Sequence, residues 1–291
     1  MVEWNKYNPF SKRESHGSAS ITTYKVLTLL TWVLSIVVSV YYVFHSPKHS
    51  HKGHHIEKRI WDQNDLYPTA FTLNHLITDI YWITLFIFQF GYITHLFSSN
   101  ADHVNAAASV GSHFIANNLL HFAFVELFVR SYFGWAELIL IINFLNLSSL
   151  YFRHNTYPRF IHAPVVSGPL AWTFVAIYWN GAIMVPHPHS LVARIFGNIF
   201  IWSILAYGSF FIVIYKDYTM GYWLSSLAAA IGVAQFTRHI IALQWIFAFT
   251  IMAILFLGTT GVAVPAWTGK EIKWGRAREP DAERAPLLND E

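Results

Sequence analysis

The chain has 291 residues, 54% of them hydrophobic and 12% charged, with a formal net charge of +3 and no cysteine. Soluble domains carry about 25% charged residues, so this composition excludes an ordinary water-soluble fold. The missing cysteine excludes disulfides, thiolate catalysis and Cys-ligated metal. No basic face is clustered enough to make nucleic acid an expected partner.

Residues 1–21 are polar and lack the short apolar core of a cleavable signal peptide. They read as a disordered cytosolic N-terminus, with the first helix acting as its own insertion signal. Eight long apolar stretches follow. A helix needs about 20 apolar residues to cross the ~30 Å hydrocarbon layer. Lipid offers no partner to a free backbone group, so such runs are forced into helices. The pattern predicts helices over 22–44, 70–97, 106–130, 132–152, 163–186, 190–215, 218–236 and 239–264. Pro265 and Gly269 are expected to end the last of them. The predicted fold is all-α, a polytopic transmembrane bundle of about eight helices over 22–264. A charged, disordered cytosolic tail takes up 265–291.

Orientation follows from Lys and Arg placement. With the N-terminus in the cytosol, that side holds Lys6, Lys12, Arg13, Lys25, Arg153, Arg159, Lys216 and the five basic residues of the tail. The other side holds Lys48, Lys52, Lys58, Arg59, Arg130, Arg194 and Arg238. Twelve against seven places both termini in the cytosol, and an even helix number agrees. The 12 Trp, 15 Tyr and 24 Phe need no catalytic explanation, because Trp and Tyr collect at membrane interfaces.

Charges at bilayer depth cost roughly 2.5–3.5 kcal/mol each on insertion scales, so they turn inward and find partners. Asp79, Glu126 and Glu137 are the carboxylates inside predicted helices. His75, Asp79, Trp82, Phe86 and Gln89 step by three or four residues and share one helix face. His113, Asn117 and His121 do the same on the next helix, and Trp172 stands on the fifth. His75, Asp79, Trp82, His113, Asn117, His121 and Trp172 therefore form the candidate ligand site, a polar and aromatic cavity between helices. The competing reading makes these side chains interhelical glue, worth about 0.6 kcal/mol per hydrogen bond. Glu126 one turn before Arg130 reads as a structural pair.

The loop containing His45, His49, His51, His54 and His55 is rich in imidazole, and His49, His51, His54 and His55 are weak metal-ligand candidates. In an acidic lumen protons compete for those rings, and a plain hydrated loop is the alternative. No His-Glu-x-x-His or Gly-x-Ser-x-Gly motif occurs. His113 and His121 lie on one helix rather than on facing helices, which does not suit an axial haem pair. No cofactor and no catalytic residue is expected, and an enzyme is the less favoured class.

Leu66-Tyr-Pro-Thr-Ala-Phe-Thr-Leu-Asn-His75, with Ile80-Tyr-Trp-Ile-Thr-Leu-Phe86, resembles the tryptophan-rich sensory proteins. The stretch from Gly111 to Glu126 and the Pro169-Leu-Ala-Trp172 segment also resemble that group. His75 and Tyr81-Trp82 depart from its pattern. That resemblance implies an apolar or aromatic ligand, such as a tetrapyrrole or sterol, within the bundle. Over nearly its full length, from the Asn8-Pro-Phe-Ser-Lys-Arg start, the chain looks more like an uncharacterised fungal multi-pass membrane family. This second resemblance implies a fungal endomembrane protein without an established activity.

Glu283-Arg-Ala-Pro-Leu287-Leu288 resembles the acidic dileucine signals read by clathrin-adaptor complexes. In a fungal cell it implies delivery to the vacuolar membrane, with the adaptor as partner. The leading expectation is a multi-pass protein of the vacuole or a related endomembrane that binds or transports a small molecule. Its rival is a non-catalytic accessory or structural subunit that packs against partner helices.

Overall fold

The computed structural model describes residues 8, 10, 16–47, 57–153, 159–188 and 190–269. The dileucine residues Glu283, Leu287 and Leu288 and the loop histidines His49, His51, His54 and His55 lie outside the described residues. Among those described, all regular structure is helical.

The helices are α1 Ser18–Phe44, α2 Ile60–Leu66, α3 His75–Leu96, α4 Ala101–Phe128, α5 Phe133–Arg153, α6 Arg159–His162, α7 Gly168–Ile183, α8 Leu191–Phe200, α9 Trp202–Ile214, α10 Tyr218–Arg238 and α11 Gln244–Thr268. A π-helical turn, Ala163–Ser167, joins α6 to α7. Six helical rods are long and apolar enough to cross a membrane: α1, α3, α5, the run Phe160–Ile183, the run Leu191–Ile214, and α11. Helices α4 and α10 are also long, at 28 and 21 residues. They carry more buried positions than α1, α3, α5 and α11, including the polar His113, Asn117 and Gln235; the run Phe160–Ile183 is likewise mostly buried. An inner helix is covered by protein on most sides, so it does not need an apolar surface all round.

Local chemistry explains most of the boundaries. Asn74, Asn100, Ser190 and Asp217 each cap a helix with a side-chain oxygen on a first-turn N–H, as short polar side chains do. The structure corrects several expected limits. Helix α1 starts at Ser18, so residues 18–21 are helical rather than disordered. Helix α4 starts at 101, not 106, because Asn100 caps it. Pro265 does not end α11; the helix continues to Thr268, and Gly269 closes it in the left-handed region at φ 65° with its N–H on the Pro265 carbonyl. The expected helix 190–215 breaks at Ile201 into α8 and α9.

The largest correction concerns residues 70–74, expected to be helical. Pro68 cannot continue a helix, and residues 67–74 instead fold irregularly into the bundle end. Thr69, Ala70, Phe71, Thr72 and Leu73 are all buried. Irregular backbone inside an apolar bundle persists only where protein supplies its hydrogen bonds. Here α2, α10 and α11 supply them. Asn64 accepts from Leu73 N–H at 3.0 Å and donates to Leu73 C=O at 3.1 Å. Gln235 Nε2 donates to Thr69 C=O at 2.7 Å, Gln244 Nε2 to Ala70 C=O at 3.0 Å, and Asn74 N–H to Ala230 C=O at 3.0 Å. Three amide side chains thus seat one peptide segment, which fills the end of the bundle like a stopper.

The π turn is supported in the same way. Tyr81 of α3 donates to Gly168 C=O at 2.6 Å and Gln89 Nε2 to Pro164 C=O at 3.3 Å. Two carbonyls, one in the turn and one just after it, thus accept from side chains of α3.

Candidate functional site

Beneath α2, the ends of α1, α3 and α4 splay around a cavity of about 210 Å³. Its inner wall is aromatic and buried: Phe124 and Phe128 from α4, Trp172 and Trp179 from α7. Trp82 of α3 crosses this wall, 4.4 Å from the His121 ring and 5.1 Å, edge-on, from Trp172. Trp61 of α2 roofs it. The rings pack at offset or edge-on angles, the arrangement their quadrupoles favour, so they hold the wall rigid.

Few polar groups face this space. Asp79 Oδ1 accepts from Trp61 Nε1 at 3.1 Å. His121 Nε2 lies 2.9 Å from Ser39 Oγ, which also bonds the Ser35 carbonyl at 2.8 Å. The indole N–H of Trp172 is buried without a partner among the described residues. The outer rim differs from the inner wall. Val40 and Phe44 of α1 and Ile83 of α3 line the cavity yet are exposed on the outer apolar face. The cavity therefore opens sideways between α1 and α3.

Four of the seven residues expected from sequence, Asp79, Trp82, His121 and Trp172, meet on this cavity. His75 does not; it is exposed at the start of α3, its ring 6.3 Å from Trp61. His113 and Asn117 are drawn elsewhere. His113 Nδ1 pairs with Asn146 Oδ1 at 2.8 Å, and Asn146 Nδ2 returns to the His113 carbonyl at 3.1 Å. Asn143 donates to Asn117 Oδ1 at 3.0 Å. These bonds tie α4 to α5 and are interhelical connectors. His113 sits two turns from His121, and the helix path carries it past the end of the cavity. Trp61, Trp179 and Ser39 complete the site and were not singled out as ligand residues. The available signal was aromatic content near Asp79 in space, which sequence spacing does not encode.

The other two carboxylates of the predicted spans are engaged. Glu126 forms an ion pair with Arg130, and the Tyr42 hydroxyl joins them from α1 at 3.3 Å. Glu137 accepts from Asn180 Nδ2 at 2.8 Å.

A second polar centre lies at the opposite end of the bundle, at the link between α9 and α10. Asp217 Oδ2 receives His162 Nε2 at 2.9 Å, Ser167 Oγ at 2.8 Å and Tyr151 Oη at 3.1 Å. Its Oδ1 receives Thr219 Oγ1 at 2.6 Å and the Met220 N–H at 3.0 Å. Burial pushes the carboxyl up, but the His162 bond and charge, with Thr219 and Met220, outweigh it and bring it down to about 2. Besides its own helix start, its partners come from α5, α6 and the π turn.

The sign of the linkage follows. A carboxyl held below its unfolded value of 3.8 contributes stability above that value and loses it as pH falls toward 2. The contribution is about 2 kcal/mol. Thermal melts of Asp217→Asn against the parent, read by circular dichroism, should differ at pH 5, and the gap should shrink between pH 4 and 2.

No curated protein and no solved structure matches the chain, and the likeness to tryptophan-rich sensory proteins is not supported by these comparisons. The residues that line the cavity, 39–179, precede the segment for which a family model exists. That segment, residues 194–288, runs from within α8 through α11 and matches the family described as a fungal protein of unknown function (DUF1774), in support of the likeness to an uncharacterised fungal family.

Proposed function

We propose that this is a multi-pass membrane protein that binds a small apolar or aromatic molecule in the cavity between α1, α3, α4 and α7. The observation that carries the reading is the cavity itself. It has about 210 Å³ of space, a rigid aromatic wall and a few convergent polar groups, the usual make-up of a small-molecule site. A purely structural bundle has no need of a sideways opening on its apolar face.

In this reading the chain crosses the bilayer eight times, with α4 and α10 as inner crossings and both ends in the cytosol. The lateral opening then faces acyl chains, and the ligand reaches the site from the bilayer. Binding can serve transport across the membrane or storage within it. Residence in the vacuolar membrane rests on Glu283, Leu287 and Leu288, and adaptor recognition of the tail belongs to the same proposal. The His113, Asn117, Asn143 and Asn146 cluster supports the interhelical-glue reading of those residues, since it ties helices of this chain together; an accessory subunit that packs against partner helices is the second reading.

The test uses the full chain in lipid nanodiscs and 12-bromododecanol, whose bromine quenches tryptophan on contact. A saturable quenching component is expected on top of the linear one from bulk lipid. Val43→Phe, at the cavity rim, should weaken the saturable component about tenfold, a loss of ~1.4 kcal/mol. Linear quenching alone in the parent protein would overturn the reading.

A further inference from the structure

We infer that the cavity's ligand is a cationic amphiphile, a single alkyl chain with a protonated amine, whose counter-ion in the protein is Asp79. The inference deepens the binding reading above and rests on it.

A carboxylate at membrane depth is costly and is found paired or serving as counter-ion to a ligand. Asp79 lines the cavity and forms no contact ion pair among the described residues; His75 acts on it only through space. There, the ion pairs of Asp and Glu join Arg59 to Asp62, Arg130 to Glu126, His162 to Asp217 and Arg238 to Asp65. Among the same residues, the side-chain hydrogen bond to the Asp79 carboxylate is the neutral indole N–H of Trp61 on Oδ1, which leaves Oδ2 for another donor. His75, one turn before it, turns its exposed ring toward Trp61 and forms no ion pair with it. Glu126 is neutralised by Arg130, and Glu137 does not line the cavity.

The shape of the site orders the ligand. Asp79 is four residues into α3, about 6 Å from its start. Trp82, Phe86, Phe124 and Phe128 lie along the rest of the cavity and offer only apolar and aromatic surface. A cation placed beside Trp61 and Trp82 also gains from their ring faces. An alkylamine with its nitrogen on Oδ2 and its chain along these rings fulfils both halves. A fatty acid would set like charge against Asp79. A fatty alcohol fits the apolar half and makes one neutral hydrogen bond.

The experiment compares three bromine-tagged dodecyl probes in nanodiscs of zwitterionic lipid at pH 7: the amine, the alcohol and the carboxylate. The amine should bind about tenfold or more tighter than the alcohol, and the carboxylate weakest. Asp79→Asn should bring amine and alcohol to within about twofold of each other, by weakening the amine far more than the alcohol. The order of the three probes in the unaltered protein decides the matter even where that variant does not fold. An alcohol that binds as tightly as the amine, or an amine preference retained by Asp79→Asn, overturns the inference while the binding reading stands. Saturable binding of none of the three probes overturns both.

Discussion

Asn64→Leu should cost the protein about 3 kcal/mol or more. Leucine matches the shape of asparagine but carries no polar atom. Three buried groups lose their partner at once: the N–H and C=O of Leu73 and the Nε1–H of Trp179, held at 3.0, 3.1 and 3.0 Å. Each orphaned group costs about 1–3 kcal/mol, because no water reaches it. Asn64 itself is 1% exposed. The loss should appear as a large drop in melting temperature in detergent, with loss of a monodisperse elution peak. Asn143→Leu is the matched control. Asn143 is also buried, but its bonds to Asn117 and Thr173 join side chains rather than an irregular backbone, so it should cost far less. Trp179→Phe should cost less in the Asn64→Leu background than in the parent, since the indole N–H is already orphaned there. Equal effects of Asn64→Leu and Asn143→Leu would remove the role assigned to the seated segment.

This expectation also marks where sequence reading reaches its limit. Apolar runs of about 20 residues dictate helices through backbone satisfaction alone, so the rods α1, α3, α5 and α11 are legible in the chain itself. The stopper is not. Residues 70–74 are as apolar as a helix start, and what keeps them irregular is supplied by Gln235 and Gln244, at sequence separations of 166 and 174. Asp79 and Trp82 are legible because helical spacing puts them on one face. Their separation from His113 is not, because the periodicity gives a shared face and says nothing of where a neighbouring helix ends. Trp61 was missed for a related reason: α2 is a seven-residue helix, too short to announce itself by hydrophobic repeat. The Asp217 centre draws one oxygen's partners from Tyr151, His162 and Ser167, which no local pattern connects.

Gly221→Ala should cost about 3 kcal/mol, although alanine is the better helix former. Its helix propensity favours the substitution by at most ~1 kcal/mol. Against that, an added Cβ would overlap Thr259 Oγ1 of α11 and lie 2.8 Å from Ile212 Cδ1 of α9. Overpacking of this kind costs about 1–3 kcal/mol, and the upper end applies because Thr259 is fully buried and cannot swing out. Helices α10 and α11 share the most extensive helix–helix contact among the described residues, and small residues at such contacts set how closely two backbones approach. The clash has a specific remedy. Thr259 Oγ1 is buried without a hydrogen-bond partner among the described residues, so Thr259→Ala alone loses chiefly the packing of one methyl and should cost about 1 kcal/mol. Combined with Gly221→Ala it should restore most of the lost melting temperature, because the Ile212 methyl is the flexible end of its side chain. The double-mutant cycle should therefore yield a coupling of about 1–3 kcal/mol in favour of the pair. Additive effects of the two substitutions would mean that the α10–α11 spacing is set elsewhere than at this contact.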